Sequence, residues 1–409
     1  MDILLNSNAS SSFNSIVDGV ETNQNPFVYR YGQSTKGTTL SGISRTFVQI
    51  NPQSSPQFNS SVDFHIPKNG ILKNMWIKMK LTSAVTADKI SGAIGAQQIS
   101  SVQVLSNGRV LATQTSAGLL AKVASQPYGS KRALEALLAL SNTNITGMHG
   151  GKLFYVPLLM SCFGLEQCYD TNFVAPLVVR CHLSSASAFS GNNATPPVAK
   201  DLTAVSMSAY CEFIREPAEH AQARVQADYS DGSLQRVQFN ELHEFSEANL
   251  NATTQIQHEL KTNNYIKEMY ISVDLRTNGV QDQGKPVELS SLKLEANGQV
   301  IADFGNGEDA KLLQFIGDLQ ADEWEYSTGT GWDASQASLN HIYKYSFQLS
   351  NDSRKVFGGV SSREMSNFLI TANVDTGSNA TYRLNVVTVY AQLESIESAS
   401  GKITTSISS

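Results

Sequence analysis

Three groups of residues have types and spacings that can do chemistry. Gly305-Asn-Gly307-Glu-Asp-Ala310 has the G-x-G-x-x-A spacing of a dinucleotide-binding turn and lies between a strand pattern and a helical one. Gly147-Met-His-Gly-Gly151-Lys152 approaches a phosphate loop. Cys162, Cys168, Cys181 and Cys211, with His65, His149, His182, His220, His243, His258 and His341, are the candidate metal ligands.

Each group fails on its own chemistry. Glu308 and Asp309 would set two anions where a pyrophosphate has to meet a helix N-terminus. The corresponding stretch earlier in the chain, Thr113 to Gly118, keeps a strand-to-helix junction without those glycines, so they read as turn residues. The phosphate-loop candidate is one residue short, and Leu153 stands where a Ser or Thr would hold magnesium. No cysteines form C-x-x-C, and no histidines sit three or four apart on a helix pattern. The cysteines therefore read as small buried hydrophobes. Asp228-Tyr-Ser-Asp231-Gly232 lacks the ligand spacing of a calcium loop and reads as a turn. Neither H-E-x-x-H nor G-x-S-x-G occurs. The expectation is no catalytic residue, no cofactor-binding residue and no metal site, hence no enzyme.

Composition points the same way. The 409 residues carry 30 Lys plus Arg against 36 Asp plus Glu, a net charge of −6, which argues against a globally basic nucleic-acid binder. Only 16% of residues are charged, against about 25% in ordinary soluble proteins. Such a surface suits a subunit whose flanks are covered by neighbours. The start, Met1-Asp-Ile-Leu-Leu, has no basic segment and is read as lacking a signal peptide, with folding in a cytosol. Phe154 to Leu165 is the most apolar run, but it is short and holds Pro157. Triplets such as Asn144-Ile-Thr146 and Asn251-Ala-Thr253 are expected from composition and are read without glycans.

The positioning elements emerge from an internal repeat. Residues 69–81, NGILKNMWIKMKL, match residues 263–275, NNYIKEMYISVDL, at five of thirteen positions. Residues 99–113, ISSVQVLSNGRVLAT, match residues 289–303, LSSLKLEANGQVIAD, at six of fifteen. A weaker pair sets 204–214 against 384–394, with Tyr210 over Tyr390. In the first block Met75, Ile77, Met79 and Leu81 alternate with polar residues or Trp76, and Met269, Ile271, Val273 and Leu275 do the same in the second copy. Period two puts each set on one buried face of a strand. The second block predicts hairpins turning at Asn107-Gly108 and Asn297-Gly298, which suit type I′ turns. Short helices are predicted after each, over 117–123 and 308–319, with another near 131–140 lying over a sheet.

Trp76 and Tyr270 fall at the same outward position of the repeat. A shared ligand patch is one reading. The plainer one packs each under its own domain's helix or against a neighbouring subunit.

The expected organisation is an extended N-terminal arm over 1–60, a first β-sandwich over 61–215, a linker over 216–235, a second sandwich over 236–396 and a tail over 397–409. Within the linker, 219–226 reads as a polar helix. The stretches 184–200 and 326–340 read as long surface loops. The fold class is all-β, with two tandem eight-stranded jelly-roll sandwiches and short inserted helices.

Two tandem sandwiches of this size, each with an Asn-Gly hairpin leading into a helix, resemble the double jelly-roll major capsid proteins of tailless icosahedral viruses, phage-like members in particular. The resemblance covers about 61–396 and rests on architecture and duplication. It implies a homotrimer with a pseudo-hexameric outline, tiling a virion shell assembled in a host cytoplasm. It implies as partners other copies of itself, neighbouring capsomers, minor capsid or vertex proteins, and an internal membrane or its proteins through the arm. It implies no sequence-specific nucleic acid and no cofactor. The alternative is a tandem carbohydrate-binding or adhesion module, for which Trp332 beside Asp333 is the one aromatic–carboxylate pair in the long loops.

Overall fold

A computed structural model describes residues 44–83, 93–126, 128–140, 148–163, 167–186, 189–191, 198–200, 202–229, 231–249, 255–261, 264–277, 280–305, 341–347, 358–362, 365, 367–374 and 381–407. Sixteen of the strands in the described residues build two sandwiches. In the first they are β1 (Ser44–Ile50), β2 (Ser61–His65), β3 (Ile71–Ser83), β4 (Ile99–Ser106), β5 (Arg109–Thr115), β6 (Lys152–Pro157), β7 (Leu177–Leu183) and β8 (Leu202–Arg215). In the second they are β9 (Ser233–Asn249), β10 (Gln255–Glu259), β11 (Tyr265–Thr277), β12 (Leu289–Ala296), β13 (Gln299–Phe304), β14 (Tyr343–Ser346), β15 (Phe368–Val374) and β16 (Thr381–Glu397).

The two connectivities coincide. The first sandwich pairs β1-β8-β3-β6 in one sheet and β2-β7-β4-β5 in the other. The second pairs β9-β16-β11-β14 and β10-β15-β12-β13. Adding eight to each strand number of the first sandwich gives the second. This is jelly-roll topology, twice.

The repeated alternation packs as its period requires. Met75, Ile77, Met79 and Leu81 are buried in the first core, and Met269, Ile271 and Val273 in the second. Both hairpins turn with positive φ at both central residues: Asn107 at 49° and Gly108 at 77°, Asn297 at 52° and Gly298 at 74°. Those are type I′ values, which match the right-handed twist of the flanking strands.

Four α-helices decorate the described residues: α1 (Ile94–Gln97), α2 (Ser116–Ala124), α3 (Tyr128–Leu138) and α4 (Ala218–Asp228). Thr115 caps α2, its side chain accepting from the Gly118 N–H at 3.0 Å. In α3, Leu138 is fully buried and Leu134 packs on the first core, as the helix-over-sheet reading requires. The helix expected over 308–319, the loop over 326–340 with Trp332 and Asp333, and most of the arm lie outside the described residues.

Three segments differ from expectation. Within 184–200, read as a long surface loop, Phe189–Gly191 and Val198–Lys200 are strands that pair antiparallel with each other, and Phe189 stands parallel to Gln281 of the second half. Ser44–Ile50, read as part of the arm, is an edge strand paired antiparallel with β8 from Ser44 opposite Arg215 to Ile50 opposite Ala209. Its alternation is faint because both faces are polar-rich and its outward set includes Phe47. Ile403–Ile407, read as tail, pairs with residues 392–396 of β16.

Candidate functional site

No three His, Cys, Asp or Glu side chains converge as a metal site among the described residues. The four cysteines carry free thiols, and Cys162, Cys181 and Cys211 are buried. Burial pushes Cys162 and Cys211 up to about 12 and Cys168 up to about 11, so none is a ready nucleophile. Gly305 directly follows β13, and the rest of the dinucleotide-like turn lies outside the described residues.

The polar side chains that do converge lie where the sandwiches meet. Strand β5 is the free edge of its sheet, so its outer N–H and C=O groups need partners. The second sandwich supplies them. Thr113 N–H donates to Asn240 Oδ1 at 2.8 Å, Thr115 N–H donates to Glu241 Oε1 at 2.6 Å, and Gln392 Nε2 donates to the Leu111 carbonyl at 2.7 Å. Leu111 is thereby only 1% exposed.

Helix α2 completes the contact. Lys122 Nζ lies 3.2 Å from Glu241 Oε2 and donates to the Leu159 carbonyl at 2.8 Å. Gly118 lets the helix come this close: a Cβ there would sit inside van der Waals contact of the Glu241 carboxylate. Tyr270, Val387 and Val389 of the second sandwich join the first sandwich's hydrophobic core. The Tyr270 hydroxyl donates to Glu268 Oε1 at 3.1 Å and lies 3.5 Å from Ser125 Oγ. Tyr270 thus packs at the end of helix α2 of the other sandwich. Its repeat partner Trp76 stays half-buried on the first sandwich's outer face. Burial opposes ionisation of Glu268, but Lys344, Lys267 and the Tyr270 hydroxyl more than offset it and hold its carboxyl below the usual range.

A second cluster locks the same joint lower down. Glu394 is fully buried and accepts from the Tyr169 hydroxyl and from Arg236 Nε at 2.6 Å. Arg236 also donates to the Cys168 carbonyl at 3.1 Å, its guanidinium 4.6 Å from the centre of the Tyr169 ring. Burial and the Glu394 charge hold the Tyr169 phenol far above its usual range. The connecting helix is tied in by Arg224, which pairs with Asp170, with Glu216 at 3.2 Å and with Asp228 at 3.6 Å. The pairings that cross between the sandwiches are not visible as motifs, because partners such as Thr115 and Glu241 are far apart in sequence. The signal available was the outward Tyr270, read without its partner.

This arrangement fixes relative position and offers no reactive centre among the described residues. Two like sandwiches in one chain, joined edge to face, define the class: a double jelly roll. Among solved structures the chain is similar to the capsid of the virus PBCV-1, with a TM-score of 0.64 and 16% identity over 92% of this chain and 99% of that one. It is similar to the Faustovirus major capsid protein, with a TM-score of 0.61 and 10% identity over 96% and 98%. It is also similar to the mavirus major capsid protein, with a TM-score of 0.54 and 11% identity over 94% and 95%. No protein-family profile matches the chain, and no curated protein matches it.

Proposed function

We propose that this chain is the major capsid protein of a tailless icosahedral virus: a structural subunit, not an enzyme, whose homotrimers are pseudo-hexameric capsomers tiling the virion shell. The observation that carries the reading is the doubled connectivity together with the edge-to-face joint. A chain with two like sandwiches lets a threefold assembly present six similar sides, which packs hexagonally with three chains. The fold shared with the capsid proteins above supports it over 95% or more of each of those chains.

The finer parts of the reading follow. The chain divides into an N-terminal arm, a first sandwich, a linker containing α4, and a second sandwich closed by the C-terminal strand. The arm reaches a neighbouring capsomer or a membrane beneath the shell. Minor capsid or vertex proteins complete the particle, and assembly takes place in the host cytoplasm. The test is native mass of the purified chain. A trimer is three times 44.4 kDa, about 133 kDa, and persists on dilution. A monomer at every concentration overturns the reading.

A further inference from the structure

The joint inside the chain has an open counterpart on its surface. The repeat places Met75 over Met269. Met75 pairs with Cys211, which pairs with Val48; Met269 pairs with Thr388, which pairs with Leu242. Val48 therefore corresponds to Leu242, and one residue earlier Phe47 corresponds to Glu241. On the edge side, the matched Asn-Gly turns put Ile301 over Leu111.

Burial separates the two members of each pair. Glu241 is 4% exposed beneath β5 and α2, whereas Phe47 is 61% exposed. Leu111 is 1% exposed, whereas Ile301 is 38% exposed. One sandwich's face and the other sandwich's edge are used up within the chain. The remaining face and the remaining edge both show apolar side chains to water.

We propose, resting on the capsid-subunit reading, that the outer face of β1, β8 and β3 is the dock for strand β13 of a second copy of this chain, repeating between chains the joint that β5 makes within one. Phe47 is the anchor, with Trp76 behind it at the position Tyr270 holds in the internal joint. Ile301 enters from the second copy as Leu111 does from the same chain. Each copy has one such dock and one such edge, so the contact is heterologous and closes into a ring at the right rotation.

Charge gives the dock its selectivity. In the internal joint the face supplies the anion Glu241 and the edge side supplies the cation Lys122. The open face is basic: Arg45, Lys78 and Lys80 lie on its outer side, and its one buried acid, Glu212, is already held by Arg45 at 2.7 Å and Lys73 at 3.1 Å. The open edge carries Asp303 where the internal edge has Thr113. The polarity is reversed, so an edge bearing Lys122 meets like charge at the open face and β13 does not.

The experiment uses the full chain. Phe47→Asp and Ile301→Asp each place a charge at an exposed site, so the fold should survive, and far-ultraviolet circular dichroism checks that it does. Sedimentation should then show self-association weakened about 100-fold or more in each, the scale of losing an aromatic anchor. Phe245→Asp, exposed but away from the dock, keeps the wild-type mass. Gln49→Cys, exposed beside Phe47 on the same outer face, and Gly305→Cys in one chain, treated with a short bis-maleimide, should give covalent dimers and trimers that neither single variant gives. Gly305 is chosen because it corresponds to Thr115, the residue bonded to Glu241. A wild-type trimer that both Asp variants leave intact overturns the dock while sparing the capsid reading. A Gln49→Cys variant that cross-links to itself also overturns it, since the contact would then be face to face. A wild-type monomer overturns the capsid reading and the dock together.

Discussion

Single side chains decide whether the two sandwiches hold one position. Glu394 is fully buried and Arg236 is largely so, and an ion pair of 2.6 Å joins them. Removing one partner strands a charge, at a cost of about 3–5 kcal/mol, whereas replacing both with apolar groups is far milder. Glu394→Ala is thus expected to lower the urea midpoint steeply, and Glu394→Leu combined with Arg236→Met to recover most of the loss. Gly118→Ala pushes a methyl into the Glu241 carboxylate and is expected to destabilise by about 1–3 kcal/mol. Acid acts at the same joint. The Glu268 carboxyl is held below its usual 4.5 in the folded chain. Its contribution is present in full above that value and is lost as pH falls through the lower, folded one. Thermal scans at stepped pH should show stability falling below about pH 4.5, with Glu268→Gln flattening that slope.

At the level of elements, the hairpins are the most local features and the most legible. Asn-Gly specifies the type I′ turn with no help from tertiary contacts. A Cβ at Gly108 or Gly298 would meet nothing within 4 Å, so the cost of Ala there is conformational alone. Gly108→Ala and Gly298→Ala are each expected to cost about 1 kcal/mol, and to add in the double variant because the sites are independent. The core strands were legible for a related reason: Met75, Ile77, Met79 and Leu81 alternate against a polar face. Strand β1 was not, because Arg45, Phe47 and Gln49 share its outer face and blur the period. The C-terminal strand, Ile403–Ile407, is short and rich in Thr and Ser, and a partner strand rather than its own pattern orders it. The joint was the least legible element. Asn240, Glu241 and Gln392 are ordinary polar residues until topology brings the unpaired edge of β5 to them.

For the whole molecule, the doubled connectivity turns one chain into two like building units with unlike surroundings. The second sandwich's face is spent on the first sandwich, and the first sandwich's face is left open. On the proposed function, a low density of charge, 16% of residues, would keep repulsion small where copies meet. Salt should affect the open contact more than the internal joint, because Arg45, Lys78 and Lys80 are screened at the surface while Glu394 and Arg236 are not. Dissociation of the assembly is therefore expected at ionic strengths that leave the unfolding midpoint of the chain unchanged, as light scattering and circular dichroism on the same samples will show.

The central claim is that duplicated sandwiches exist to give a threefold particle six similar sides. Electron-microscope class averages of the purified wild-type chain address it most directly. The account predicts particles of hexagonal outline with six lobes and threefold symmetry. Two-lobed single molecules across all classes would contradict it.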